Sequence, residues 1–241
     1  MTNSKLFSRS GWRLIGMGLI SLGLVACGSD SDTESTYEYE VTITNLTAAQ
    51  PFSPVAVVLH KENWQAFELG ESVSEGVEMI AESGDNSLFL QDVASNEDAY
   101  SGVSGAGIVG PGGSETISVE AQASGTISLS LVSMLVNTND ALTALQTVNV
   151  SSLDVGDAMS YRLRTYDAGT EANSESADTI PGPAAVGGLR EGFNSERDDV
   201  RDEAYVHAGV VTQDDGLATS TLTQAHRWDN PAAAVTIRRI Q

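Results

Sequence analysis

The chain has 241 residues, 41% of them hydrophobic, with 33 Asp+Glu against 12 Lys+Arg, a formal net charge of −21. That length suits one large domain or two small ones, and that charge repels nucleic acid and anionic lipid. A single cysteine excludes an internal disulfide, so an exported domain must be held together by its apolar core alone.

Residues 1–26 read as an export signal. Lys5, Arg9 and Arg13 give a basic start, and "LIGMGLISLGLVA" is an apolar stretch too short for a comfortable membrane span. It ends in "LVAC", Leu24 to Cys27, which resembles the lipobox of bacterial lipoproteins. In that reading Cys27 becomes the lipid-bearing first residue, and the protein sits in the cell envelope on a lipid anchor in the membrane. Gly28 rather than Asp after the cysteine favours the outer membrane. Without residues 1–26 the chain holds 9 Lys+Arg against 33 Asp+Glu, a net of −24. Residues 27–36 are small, polar and acidic, and are predicted to be a flexible tether.

The folded domain is predicted over residues 37–241. Tyr37, Tyr39, Val41 and Ile43 alternate with Glu38, Glu40, Thr42 and Thr44, the period of a half-buried strand. "PVAVVLH" is a second β-like run. "GESVSEGVEMIAESGD" carries Val73, Val77 and Ile80 at helical spacing with a glycine after the last turn, the best helix candidate. "SGVSGAGIVGPGGS" reads as a glycine-rich loop. Its "GAGIVG" matches a dinucleotide fingerprint in letters only, because no strand leads into it and "GPGG" breaks any following helix. Strands are then expected in "ETISVEA", "TISLSLVSMLV", "LTALQTVNV", "AMSYRLRTY", "AYVHAGVV" and "AAVTIRRI", rich in Thr, Val and Ile. In the last, Val235, Ile237 and Arg239 share a face, and arginine there predicts a strand finishing the sheet near solvent. Between Asp167 and Glu203 lies a long excursion with little periodicity. The expectation is an all-β fold, an antiparallel β-sandwich with one short helix and long loops.

The search for chemistry narrows to carboxylates. There is no G-x-S-x-G elbow and no H-E-x-x-H, and His60, His207 and His226 are scattered singly. This argues against an enzyme. "YDAGTEANSE" is different: Asp167 and Glu171 leave a strand end four positions apart, and Gly169 permits the turn between them. Asp140, in "LVNTND", lies just past another apolar strand. Calcium takes six to eight oxygens from carboxylates, carbonyls and water, and loops at one end of a sandwich can supply them. Spacing alone leaves this even with two ordinary solvated turns.

"SMLVNTNDAL" followed by "YDAGTE", with "FSPVAVVLH" and "AESGD" before them and "NPAAAVTIRRI" at the end, resembles the spondin N-terminal domain. That family, of the F-spondin and mindin type, occurs in extracellular matrix proteins and in exported bacterial proteins. The resemblance covers about Tyr39 to Ile240 and implies an eight-stranded antiparallel β-sandwich with one bound calcium. It implies Asp140, Asp167 and Glu171 as the metal residues, the first matching a serine-proline-aspartate motif and the others an aspartate-alanine-glycine-threonine-aspartate motif. Glu171 departs from the aspartate of the pattern, and the proline, tryptophan and cysteines of animal members are absent. The expectation is a calcium-binding envelope lipoprotein that serves as a binding or adhesion module for a protein or glycan ligand. The alternatives are a structural protein whose calcium only staples loops, and a calcium-dependent hydrolase.

Overall fold

The computed structural model describes residues 34–241; the signal segment, Cys27 and most of the tether lie outside the described residues. The first strand, β1 (Ser35–Asn45), starts two residues before Tyr37 and buries Tyr39, Val41 and Ile43 as its alternation demands. β2 (Ala56–His60) is followed by α1 (Glu75–Ser83). The Ser74 side chain accepts from the Val77 N–H to cap α1, and Gly84 at φ 74° ends it, donating to the Ile80 carbonyl.

A second helix, α2 (Ser87–Ser95), was not expected. Its signal is short: Phe89 and Val93, four apart, are its two buried side chains. The expected glycine-rich loop also loses its first part to a strand, β3 (Ala99–Ser104), which pairs with β2. Gly102 is needed there because a Cβ would stand 2.9 Å from Val93, where α2 lies on the strand.

The remaining strands are β4 (Ser114–Ala123), β5 (Ser128–Met134), β6 (Ala141–Asn149), β7 (Ala158–Asp167), β8 (Tyr205–Val206) and β9 (Ala233–Arg239). All pairings are antiparallel, in the order β3-β2-β5-β6-β7-β9-β1-β4, with the two-residue β8 beside β7. The fold is therefore all-β as expected, with eight strands in the main path and two helices rather than one. The end strands β3 and β4 approach each other without pairing, so the sheet comes close to closing. The run "AYVHAGVV" keeps only two strand residues, because the His207 ring accepts the Gly209 N–H and Gly209 turns at φ 94°.

β7 makes one sheet into two layers. Residues 158–163 pair with β9, and residues 164–167 pair with β6 on its other side. The layers close over a core that includes Tyr39, Val41, Ile43, Leu59, Leu131 and Ile237. The outer faces of β2, β5 and β6 are covered in turn by Val77, Ile80, Phe89 and Val93 of the helices. That second cover explains why β2 and β5 are buried on both faces, β2 reading as an almost continuous apolar run and β5 burying Ser128, Ser130 and Ser133 among its apolar residues.

β9 does not finish the sheet. It lies between β7 and β1, hydrogen-bonded on both sides, and Val235 and Ile237 are buried. Ile237→Ala is expected to cost about 2–5 kcal/mol, the range for truncating a packed core side chain. At roughly 2–4 °C per kcal/mol for a domain of this size, the melting temperature should fall by about 4 °C or more. An unchanged melting curve by circular dichroism would count against this placement.

Candidate cation site

Strand pairing brings the acids together. Asp140 ends the turn Asn137–Asp140 and directly precedes β6, whose first residue Ala141 is paired with Asp167 at the end of β7. The turn is tied down by the Thr138 hydroxyl, which donates to the Leu135 carbonyl at 2.6 Å and accepts the Ala141 N–H at 3.0 Å. The Ala168 N–H donates to the Asp140 carbonyl at 3.2 Å. Two carboxylates distant in sequence thus become neighbours, and both are fully buried.

Each has a different set of partners. Asp140 Oδ2 accepts from the Thr170 N–H at 2.8 Å, the Glu171 N–H at 3.1 Å and the Thr170 hydroxyl at 3.3 Å. Asp140 Oδ1 is buried with no partner. Burial first, then the charge of Asp167, pushes the Asp140 carboxyl up to about 8, against the pull of the two N–H donors. Asp167 Oδ1 accepts the Gly169 N–H at 3.0 Å, and Oδ2 accepts the Asn173 amide at 2.7 Å. Gly169 sits at φ 71°, and a Cβ there would stand 2.3 Å from the Glu203 carbonyl oxygen. Only glycine meets both demands.

Glu171 behaves otherwise. Its N–H holds Asp140, but its side chain lies in a separate cavity of about 140 Å³ with Asn139, Glu191, Glu196 and Asp198. Its Oε2 accepts the Asn139 amide at 3.3 Å. Burial, with Glu82, Asp140 and Asp198 nearby, pushes its carboxyl up to about 8.

Sequence reasoning missed several neighbours. Glu175 and Glu82 are each 1% exposed, each leaves one carboxylate oxygen without a partner, and burial raises each to about 7. Glu175 continues the four-residue spacing from Glu171, a signal that was available; Glu82 read only as the end of a helix. His207 is also buried. Its Nδ1 is taken by Gly209, so Nε2 carries the proton, 3.8 Å from Asp167 Oδ2 and beyond hydrogen-bond reach. Burial depresses its pKa and keeps it neutral.

A model of the Spondin_N family matches residues 37–182, more than half of the chain. The chain belongs to the Spondin_N family. Comparison with curated proteins gives no match. The Spondin_N match takes in both acidic turns and β1 to β7, and ends at Gly182, ahead of β8 and β9.

The site suits calcium in its donors more than in its present arrangement. Its unpartnered groups are carboxylate oxygens and the His207 Nε2–H, and Asp140 Oδ1 beside Asp167 is the kind of atom a hard cation satisfies. Yet among the described residues no three His, Cys, Asp or Glu side chains are gathered to hold a metal ion as they stand. Asp140 and Asp167 adjoin, whereas the Glu171 carboxylate faces the neighbouring cavity. A full shell would draw on amide and backbone oxygens as well.

Raised carboxyl pKa values reverse the usual acid dependence. Unfolded carboxyls titrate near pH 4, whereas Asp140 and Glu171 titrate near 8 in the fold, so the folded state binds more protons between these limits. Their contribution is present below the unfolded pKa and is lost as pH rises through the folded one. Without divalent cation the melting temperature should fall between about pH 5 and pH 8, and Asp140→Asn should flatten that decline. A cation-free melting temperature that is level or rising across this window would refute the assignment.

Proposed function

We propose that this Spondin_N protein is a calcium-binding lipoprotein of the bacterial cell envelope, serving as a binding or adhesion module for a protein or glycan. The observation that carries the calcium reading is the buried, unpartnered Asp140 Oδ1 beside the buried Asp167. Two anions left in a low-dielectric nest cost several kcal/mol each unless protonated or paired, and few side chains here could pair them. A bound calcium would supply that compensating charge and a rigid oxygen hub. Asp140 and Asp167 are the residues to hold it, with Glu171 joining if its side chain turns.

Burial bears on the role of the metal. An ion that bridges to a partner needs coordination positions open to solvent, and Asp140 and Asp167 are both wholly buried. This favours the reading in which calcium staples the loops and the ligand is taken by the surface they shape. Binding fits better than catalysis, because the one histidine beside the acids already has Nδ1 occupied.

At a hundredfold excess over Kd, calcium should stabilise by roughly 2.7 kcal/mol, which is a melting shift of several degrees. Magnesium should substitute poorly, since it demands a stricter octahedron. Asp167→Ala should abolish the calcium shift and leave the calcium-free melting temperature at or above wild type. Wild type without any shift at millimolar calcium, or Asp167→Ala with the full shift, would sink the reading.

The envelope assignment rests on "LVAC" and the segment before it. Acylation contributes about 0.8 kcal/mol per buried methylene, and stable anchoring takes more than one chain. Cys27→Ser should therefore move the protein from the membrane to the soluble fraction. Retention of all of it with membranes would refute lipidation at Cys27.

A further inference from the structure

The acids are buried because a later part of the chain lies over them. Segment 194–203 comes from the long excursion and crosses from α1 to the end of β7. The Asn194 N–H donates to Glu82 Oε2 at 2.9 Å. Asp198 clasps the acidic turn, its N–H donating to the Thr170 carbonyl at 3.1 Å and its Oδ1 accepting the Ala172 N–H at 2.7 Å. Glu203 then presses its backbone on Gly169, so closely that no Cβ would fit between them.

Arg197 pins the middle. Its guanidinium donates from Nε and Nη2 to Glu78 Oε2, the former at 2.9 Å, from Nη2 to the Val73 carbonyl at 2.8 Å, and from Nη1 to Asp202 Oδ1 at 2.7 Å. Glu78 is a buried residue of α1, so this is a charge-assisted fork at the edge of the core rather than a loose surface pair. One cationic side chain thereby holds a run of acids, Asp198, Asp199 and Asp202, against the site they would otherwise leave by repulsion.

We propose that segment 194–203 is a latched strap that gates cation exchange at Asp140 and Asp167, and that Arg197 is its latch. The inference rests on the reading of those acids as a cation site. With the strap closed, an ion can neither reach Asp140 Oδ1 nor leave it. Exchange therefore waits for the Arg197 fork to open, and the rate of opening governs capture and release alike. The gate lies outside the residues matched to the family, which end at residue 182.

The test is stopped-flow luminescence with terbium as a calcium surrogate on the purified full chain, together with chase by calcium. In wild type the association rate should level off as terbium is raised, because opening becomes limiting. Arg197→Met should raise association and dissociation together by about tenfold or more, the scale of losing a few charge-assisted hydrogen bonds, and leave Kd within about a factor of two. Because Arg197→Met strands the buried Glu78 carboxylate, the double variant Glu78→Gln/Arg197→Met is run beside it and should show the same paired acceleration. Wild type that binds neither terbium nor calcium overturns the site itself. Binding with unchanged rates in both variants overturns the latch and leaves the site standing. Acceleration of release alone, with Kd weakened in proportion, also overturns the gate, because the strap would then be supplying ligands.

Discussion

Asp140 Oδ2 is the point on which the functional end of this protein depends. One carboxylate oxygen takes the N–H groups of Thr170 and Glu171 and the hydroxyl of Thr170. Those donors would otherwise be unpaired in a turn that has left the ladder. By taking them, Asp140 fixes where the chain goes after β7 and so where the excursion begins. Burial costs the anion heavily, and the N–H donors recover only part of that cost. The other oxygen is left with the remainder.

Rigid parts and charged parts are kept separate. The two-layer core is apolar and continuous through β7, and the helices cover the outer face of β2, β5 and β6 with Val, Ile and Phe. Nothing in that body needs an ion. The acids gather where β5 and β7 end and β6 begins, under a segment with no regular structure from Ala168 to Ala204. A chain with so few basic residues cannot neutralise its acids pairwise. Lys61, Arg201 and Arg227 pair with Asp98, Glu203 and Asp215 at the surface, while around the acidic turns Arg197 holds Glu78 and Asp202 and main-chain N–H groups hold Asp140. In the proposed reading the gate and the staple are two parts of one arrangement: the strap covers the carboxylates, and a bound cation would make that covering favourable at neutral pH.

This division also separates what a partner would meet from what the metal would touch. Asp140 and Asp167 are internal, while Val186, Leu189 and Val200 of the excursion stand largely exposed. Ordering the excursion from below would change that surface without the ion contacting anything outside the protein.

Much of this was open to reading along the chain. Period-two alternation in β1, β4 and β7 announces strands because each shows one face to water and one to the core. The stop of α1 at Gly84 and the two acidic turns that carry Asp140 and Asp167 were legible because they are local or carried by a family motif. α2 was hidden because only Phe89 and Val93 mark its buried face, and β3 because Gly102 looks like a loop residue until α2 is laid across it. The interior place of β9 was hidden too, since an arginine at its end looks the same whether or not both neighbours are paired. Composition and local spacing determined the strands, the acids and the turns that carry them. Only the tertiary structure decided that Glu171 lends its N–H to Asp140 while its carboxylate turns elsewhere, and that Arg197 closes the excursion over them. Those contacts join residues from 31 to 119 positions apart, and no periodicity encodes a distance of that kind.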